Sequence, residues 1–229
     1  MPRTHTGRIP TELTRPVAIG REQRRTLAMM DSLLLDYPDD AFGRKFAAVE
    51  TQVHTLPPAV AAEVTAFLDA ARVLGLRGLQ THYVETFDQR RRCSLFLSYY
   101  AVGDTRQRGA AILAFREALQ SLGFEELREE LPDHLCVVLE ATALAEDESH
   151  DTAVELLAAH RDGIEVLRSA LEFARSPYAH LITALCMALP KIDEDTARSY
   201  LDLIQSGPPE ELVGLGTPLP FPTAQPDVH

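Results

Sequence analysis

Apolar residues recur every three or four positions along most of the chain, which is the spacing that places them on one face of an α-helix. The clearest stripes of such residues cover positions 27–34, 60–74, 112–122, 135–142 and 154–171. No segment shows the sustained alternation of apolar and polar residues, flanked by Asn-Gly or Asp-Gly turns, that is typical of strands. The pattern therefore predicts an all-α fold of about eight to ten helices.

Start and stop signals mark the ends of several of these helices. Ser176-Pro177 predicts the beginning of a short helix that ends before Pro190, and Asp193 predicts the cap of a final helix that includes residues 197–204. Gly123 follows the stripe at 112–122, in the position where a glycine commonly ends a helix. The acidic run 146–151 (EDESHD) is the best candidate for an internal loop or hinge.

Proline and glycine are concentrated at the two ends of the chain. Residues 1–20 hold three prolines and two glycines without any periodicity, which predicts a flexible leader. Residues 206–229 hold six prolines and three glycines, which excludes a helix and predicts an extended or disordered tail. Residues 21–205 are predicted to form one helical domain.

The charge distribution restricts the partners that the protein can bind. The chain has a net charge of −12, although residues 1–25 hold six arginines and two glutamates, so the remainder is strongly acidic. An acidic body repels nucleic acids and anionic lipids and attracts cationic peptides. No apolar run is long enough to cross a bilayer, and the three separated cysteines favour a reducing compartment. We therefore expect a cytoplasmic protein that neither inserts into the membrane nor binds nucleic acid.

The sequence lacks the motifs on which many catalytic sites depend. It contains no phosphate-binding glycine loop, no dinucleotide fingerprint, no H-E-x-x-H and no nucleophile elbow. The histidines are not spaced as metal ligands, and Asp147-x-x-His150 is the nearest approach to a di-iron motif. We therefore predict no catalytic residues, no metal and no cofactor, and thus a binding protein rather than an enzyme. The alternatives are a small helical metal-dependent hydrolase and a helical adaptor whose arginines contact phosphate.

An aromatic and arginine-rich cluster extends from Tyr83 to Gly109. Its composition fits an aromatic core helix beside a solvated arginine turn. It also fits the floor of a stiff peptide-binding groove, since preorganisation lowers the entropic cost of binding. Partly buried arginines need carboxylate partners. We predict structural ion pairs among these residues: Glu85, Asp88, Arg91, Asp104, Arg106 and Arg108.

A second cluster, residues 130–135 (ELPDHL), has the features of a helix start. Pro132 suits the first turn of a helix, and Asp133 in that turn complements the helix dipole. Helix capping does not account for the adjacent His134. An Asp-His pair is a candidate polar contact in a groove, and a histidine there predicts pH-sensitive binding.

Together the two clusters resemble the nitrate reductase delta subunit, a molybdenum cofactor assembly chaperone within the wider family of redox-enzyme maturation chaperones. The resemblance rests on residues 83–92 (YVETFDQRRR), 95–109 (LFLSYYAVGDTRQRG) and 130–140 (ELPDHLCVVLE), with the motifs in the family's order. Residues 132–134 match the proline, aspartate and histidine signature that the wider family associates with leader-peptide recognition. The leader and the proline-rich tail depart from the family pattern.

The resemblance implies a chaperone without catalytic turnover. Its partner would be the apo catalytic alpha subunit of respiratory nitrate reductase, alone or with the beta subunit, bound at its N-terminal segment. The chaperone would keep this subunit away from its membrane anchor until the molybdenum cofactor is inserted, would contact cofactor-insertion proteins, and would then leave. The partner segment is expected to contact these residues: Tyr83, Phe87, Leu95, Tyr99, Tyr100, Pro132, Asp133 and His134.

Overall fold

The structure is a computed structural model, and it describes residue 10 and residues 13–103, 105–125, 129–191 and 194–195. Within these ranges the chain forms nine α-helices, which confirms the predicted all-α fold. They are α1 Arg21–Leu34, α2 Phe42–Gln52, α3 Pro58–Tyr83, α4 Leu97–Val102, α5 Arg108–Ser121, α6 Leu135–Leu144, α7 Asp147–Ala159, α8 Arg161–Phe173 and α9 Tyr178–Ala188. None of the helices in the described ranges is long and apolar enough to cross a membrane.

Helices α6 and α9 form the centre of the fold. A helix that is apolar on nearly all sides must lie in the interior, and every residue from Leu135 to Leu139 of α6 is buried. α6 packs mainly against α1, while α9 packs against α3 and α8. α8 is amphipathic instead, with Ile164, Leu167 and Leu171 buried on one face. The apolar sequences of α6 and α9 thus explain their interior positions, and α1 packs against both of them.

Most of the predicted helix ends agree with the structure. α9 begins at Tyr178, directly after Ser176-Pro177, and ends before Pro190. Gly123 follows α5 with a φ of 90°, a conformation that favours glycine. The stripe at 154–171 belongs to two helices, because α7 ends at Ala159 and α8 begins at Arg161. The predicted tail and most of the predicted final helix lie outside the described residues.

The prediction of a loop or hinge at residues 146–151 is wrong. Glu146 is the N-cap residue of α7, and residues 147–151 form its beginning, with Asp147 and Glu148 in the first turn, where carboxylates are stabilised by the helix dipole. His150 is buried, and its Nδ1 lies 2.8 Å from the carbonyl oxygen of Thr142. The acidic run therefore marks a helix start that is fixed to the neighbouring helix.

Part of the predicted leader lies against the helical domain. The N–H and the hydroxyl of Thr14 donate to the buried carboxylate of Glu165 over 2.8 and 3.2 Å. The N–H of Val17 donates to the carbonyl of Met187 over 2.8 Å. These bonds fasten residues 14–17 across α8 and the end of α9, whereas residues 1–9 and 11–12 lie outside the described part of the chain.

Candidate partner-binding groove

The two sequence clusters meet along one open groove, which we call the aromatic groove. Its volume is about 720 Å³. Its lining comes from the loop after α1, the end of α3, the segment between α3 and α4, α4 itself, the start of α5, and the residues that precede α6. The lining residues are Asp36, Tyr37, Tyr83, Phe87, Asp88, Arg91, Ser94, Leu95, Phe96, Tyr99, Arg108, Glu129, Glu130 and His134. Five of the residues predicted to contact a partner therefore share one surface: Tyr83, Phe87, Leu95, Tyr99 and His134.

A π-helical turn, Val84–Asp88, directs two aromatic side chains into the groove. The N–H of Gln89 donates over 3.1 Å to the carbonyl five residues earlier, so the helix is locally widened. The ring centroids of Tyr83 and Phe87 lie 4.7 Å apart. Behind them is the buried ring of Tyr178 in α9, 5.8 Å from Tyr83 and 4.9 Å from Phe87. This wall is therefore supported directly by a central helix.

The opposite wall forms where the two clusters pair through their backbones. An isolated antiparallel bridge joins Phe96 and His134. The N–H of Leu97 donates to the carbonyl of Asp133 over 2.9 Å, and a bond of 2.8 Å joins the same two segments on the other side of the bridge. The rings of Phe96 and His134 meet edge to face with their centroids 5.0 Å apart. The bridge thus fixes both rings relative to each other.

Asp133 and Ser98 form a buried pair behind this wall, which we call the brace. The hydroxyl of Ser98 donates to Oδ2 of Asp133 over 2.5 Å, and both side chains are 0% exposed. Burial raises the pKa of Asp133, while the hydrogen bond from Ser98 and the positive charge of Arg108 oppose the rise. Asp133 does not line the groove. In this structure its side chain holds the wall from behind.

His134 caps α6. Its Nδ1 accepts a hydrogen bond from the backbone N–H of Cys136 over 3.3 Å. An acceptor at Nδ1 places the proton of a neutral imidazole on Nε2. The expectation that capping does not account for this histidine is therefore wrong, because the imidazole takes the place of the usual serine or aspartate. Pro132 also differs from expectation, since it precedes the cap instead of lying in the first turn.

Arg108 packs on an aromatic ring in the groove. The centre of its guanidinium lies 5.1 Å from the ring centroid of Phe96, as in a cation–π contact. Its Nε is buried and has no hydrogen-bond partner among the described residues. Asp104 lies outside these residues. The ion pairs proposed from the sequence for Glu85, Asp88, Arg91, Asp104, Arg106 and Arg108 therefore stay a prediction.

Three of the residues predicted to contact a partner do not line the groove: Tyr100, Pro132 and Asp133. Tyr100 is 2% exposed, and its hydroxyl donates to the carbonyl of Ser94 over 2.9 Å. Because Ser94 belongs to the lining, Tyr100 supports the groove from inside the protein. Direct contact of these three side chains with a partner stays a prediction.

Sequence reasoning also missed several lining residues. Phe96 lies inside the aromatic cluster and between two leucines, so its neighbours could have suggested it. Tyr37 comes from the loop after α1, and its ring meets that of Tyr83 at 5.4 Å. No local pattern connects these two tyrosines, because their contact depends on how α1 packs against the rest of the protein. The same holds for Asp36 in that loop, whereas Glu130 belongs to the second cluster and Glu129 directly precedes it.

A serine and a histidine lie together outside the groove lining and bear on the hydrolase alternative. Nε2 of His82 is 2.8 Å from the hydroxyl of Ser176 and 3.2 Å from that of Thr86. Ser176 is 4% exposed, and both residues belong to the lining of another pocket beside the start of α9. No group of three or more His, Cys, Asp or Glu among the described residues could hold a metal ion. The geometry of these contacts links α3 to the start of α9.

Comparisons with known proteins agree on one family. The model of the nitrate reductase delta subunit family matches residues 54–184, more than half of the chain, and includes every groove residue except Asp36 and Tyr37. The nitrate reductase-like protein NarX of Mycobacterium tuberculosis H37Rv is 43% identical over 106 residues, which cover 46% of this chain and 16% of that protein. The chain thus spans a small part of that relative's length.

Two further relatives match over most of their length. The nitrate reductase molybdenum cofactor assembly chaperone NarJ of Escherichia coli K12 is 31% identical over 188 residues, which cover 79% of this chain and 78% of that protein. The probable nitrate reductase molybdenum cofactor assembly chaperone NarJ of Bacillus subtilis is 28% identical over 162 residues, which cover 70% of this chain and 86% of that protein.

Proposed function

The chain belongs to the nitrate reductase delta subunit family, and from this membership we propose that it is an assembly chaperone for a nitrate reductase. It binds the apo catalytic alpha subunit at its N-terminal segment and holds that subunit competent for insertion of the molybdenum cofactor in the cytoplasm. It then leaves and takes no part in the finished enzyme. The names of two relatives, both molybdenum cofactor assembly chaperones, support a chaperone role and not a catalytic one.

The aromatic groove is the observation that carries this proposal. Its lining combines aromatic and aliphatic side chains with four carboxylates and two arginines. Such a surface suits an amphipathic helix whose apolar face enters the groove and whose polar face is cationic. Both walls are fixed to the core, one by Tyr178 and the other by the brace. A groove that is formed before binding loses less entropy when it binds a client segment.

Replacing Tyr99 with alanine is expected to weaken client binding about tenfold, or by roughly 1.4 kcal/mol, because aromatic side chains dominate the binding energy of most interfaces. Tyr99 is partly exposed in the groove, and its ring packs against Tyr100 with the centroids 5.3 Å apart. Isothermal titration calorimetry with a synthetic peptide of the alpha-subunit N-terminal segment measures the affinity.

Phe173→Ala is the matched control, because the ring of Phe173 is 89% exposed and does not line the groove. Its affinity for the peptide should equal that of the wild type. Equal affinity of all three proteins would contradict the groove as the binding surface. A wild-type protein that binds no peptide would contradict the proposed client segment.

Replacing Ser98 with alanine is expected to lower the free energy of unfolding by about 1–2 kcal/mol, since it removes the hydrogen bond to a buried carboxylate. Peptide affinity should fall as well, because the brace positions Phe96 and His134. Urea unfolding measures the stability. Ser121→Ala is the control, since Ser121 is exposed and its hydroxyl donates to the carbonyl of Ala118 in its own helix end. In an Asp133→Asn background, Ser98→Ala should lower the free energy of unfolding by less than it does in the wild type. Fully additive costs would contradict the brace.

A further inference from the structure

Two buried polar atoms at the bridged wall of the groove have no hydrogen-bond partner among the described residues: Nε of Arg108 and Oδ1 of Asp133. Buried polar atoms are nearly always hydrogen-bonded, so each exception needs an explanation. Arg108 lines the groove, whereas Asp133 is fully buried behind it. Nε itself is buried, but the Arg108 side chain is partly exposed, so a bound molecule can reach the part of its guanidinium that faces the groove.

Arg108 is held in a defined orientation. It is the first residue of α5, and its guanidinium lies over the ring of Phe96. A guanidinium in a cation–π contact can still donate hydrogen bonds through N–H groups that do not face the ring. Phe96 is itself fixed by the bridge to His134. The guanidinium is thus preorganised, which reduces the entropy that binding would cost.

Asp133 is a carboxylate that Arg108 acts on without a hydrogen bond between them. The charge of Arg108 acts on Asp133 and opposes the rise in the pKa of that carboxyl. Asp133 nevertheless makes its hydrogen bond with Ser98 and not with Arg108. Arg108 therefore lies near a carboxyl group, and no hydrogen bond joins its guanidinium to another described residue, so the N–H groups that face the groove can bind another acceptor.

The surrounding charges restrict what that acceptor can be. The groove is lined by four carboxylates in addition, those of Asp36, Asp88, Glu129 and Glu130. They repel a phosphate or another multiply charged anion more strongly than a single carboxylate. A carboxylate also matches the guanidinium edge, since the two groups can form parallel N–H···O bonds.

We propose that Arg108 binds the carboxylate of an aspartate or glutamate in the client segment and so fixes the position of that segment along the groove. This inference rests on the proposed function, because it names the feature of the client that the groove recognises. The basic residues of the client face the carboxylates of the lining, and its acidic residue faces Arg108. A segment with the opposite charge order meets like charges at both places, which disfavours wrong registers and wrong clients.

The experiment compares calorimetric titrations of a synthetic alpha-subunit N-terminal peptide and of peptides in which each acidic residue in turn is replaced by its amide. Arg108→Gln is expected to weaken binding of the unmodified peptide about tenfold. On the wild-type protein, one of the amide peptides should bind about tenfold more weakly than the unmodified peptide. On Arg108→Gln, that amide peptide and the unmodified peptide should bind with equal affinity. Arg106→Gln is the matched control, because Arg106 is exposed, lies on the same segment and does not line the groove.

A second substitution protects the test against a folding defect. Arg108→Lys keeps a positive charge over Phe96 but loses the planar edge, so an intermediate loss of affinity is expected. Thermal unfolding of each variant without peptide shows whether the protein is folded. If Arg108→Gln does not fold, the comparison of amide peptides is made on Arg108→Lys.

Several outcomes would overturn the inference. Unchanged affinity of Arg108→Gln would refute it while leaving the proposed function intact. Additive losses at every acidic position, or tight binding of a client segment without any acidic residue, would refute it as well. Competition by millimolar inorganic phosphate that disappears in Arg108→Gln would assign the site to a phosphate-bearing ligand instead. Absence of any binding by the wild type would refute the proposed function itself and this inference with it.

Discussion

Replacing Gly163 with alanine is expected to destabilise the protein by about 3 kcal/mol, because inserting a methyl group into a tightly packed contact forces the backbone to move. Gly163 lies in α8 where that helix meets α4. A Cβ atom at this position would lie 2.6 Å from Cβ and 3.0 Å from Cγ of Tyr100. Alanine is favoured over glycine in a helix by only about 1 kcal/mol, which is less than the expected strain.

The same substitution should also weaken client binding. Tyr100 is anchored by its hydroxyl to the carbonyl of Ser94, which lines the groove. When α8 pushes Tyr100 away, that anchor is stretched and the lining shifts. Calorimetry with the alpha-subunit peptide, made at a temperature where the variant is still folded, measures this effect separately from stability.

Gly43→Ala provides the matched control for Gly163→Ala. Gly43 is exposed in the first turn of α2, and a Cβ atom there would have no heavy atom within 4 Å. Its stability should therefore equal or slightly exceed that of the wild type. If urea unfolding gave both variants wild-type stability, the close approach of α8 to Tyr100 would be contradicted.

Much of the fold could be predicted because apolar residues recur without interruption along the central helices α6 and α9. The run beginning at Leu135 is apolar on almost every side, so it can only be a central helix, and Ser176-Pro177 marks the start of α9 directly. The acidic run at 146–151 has no such unique interpretation. Carboxylates are favourable in a loop and equally favourable in the first turn of a helix. What decides between them is the contact of His150 with Thr142 on another helix.

The candidate site could be predicted only as far as its residues are neighbours in sequence. Tyr83, Phe87 and Tyr99 are part of one aromatic cluster, and all three line the groove. Whether Asp133 faces the groove or the interior cannot be read from its neighbours, because its orientation is set by Ser98, which is distant in sequence. Contacts between distant segments depend on tertiary packing, which the local periodicity of the sequence does not reveal.

Replacing Asp31 with asparagine is expected to stabilise the protein increasingly as the pH rises. Asp31 lies in α1 and is fully buried, and neither of its carboxyl oxygens has a hydrogen-bond partner among the described residues. Burial without compensation disfavours the charged form, so the pKa of Asp31 is raised well above its ordinary value. The folded protein therefore retains a proton that the unfolded chain releases.

The direction of the pH effect follows from this difference. Below the ordinary pKa of 3.8 both states carry the proton, and stability does not depend on Asp31 ionisation. Above it the unfolded state loses the proton first, so the free energy of unfolding falls with rising pH, by at most about 1.4 kcal/mol per pH unit. The loss continues until the pH passes the raised pKa of the folded state. Asparagine releases no proton and is free of this loss.

Comparing the unfolding of the Asp31→Asn variant with that of the wild type separates the effect of Asp31 from that of His160, whose effect on stability changes with pH in the opposite direction. Burial lowers the pKa of His160 to about 4, so its contribution to stability is lost as the pH falls from 6.5 towards that value. Both proteins contain His160, and the difference between their urea unfolding curves cancels its contribution. This difference should grow as the pH rises from 5 to 8, whereas an exposed control, Asp40→Asn, should show no such trend. A difference that stays constant with pH would mean that Asp31 is ionised alike in the folded and unfolded states.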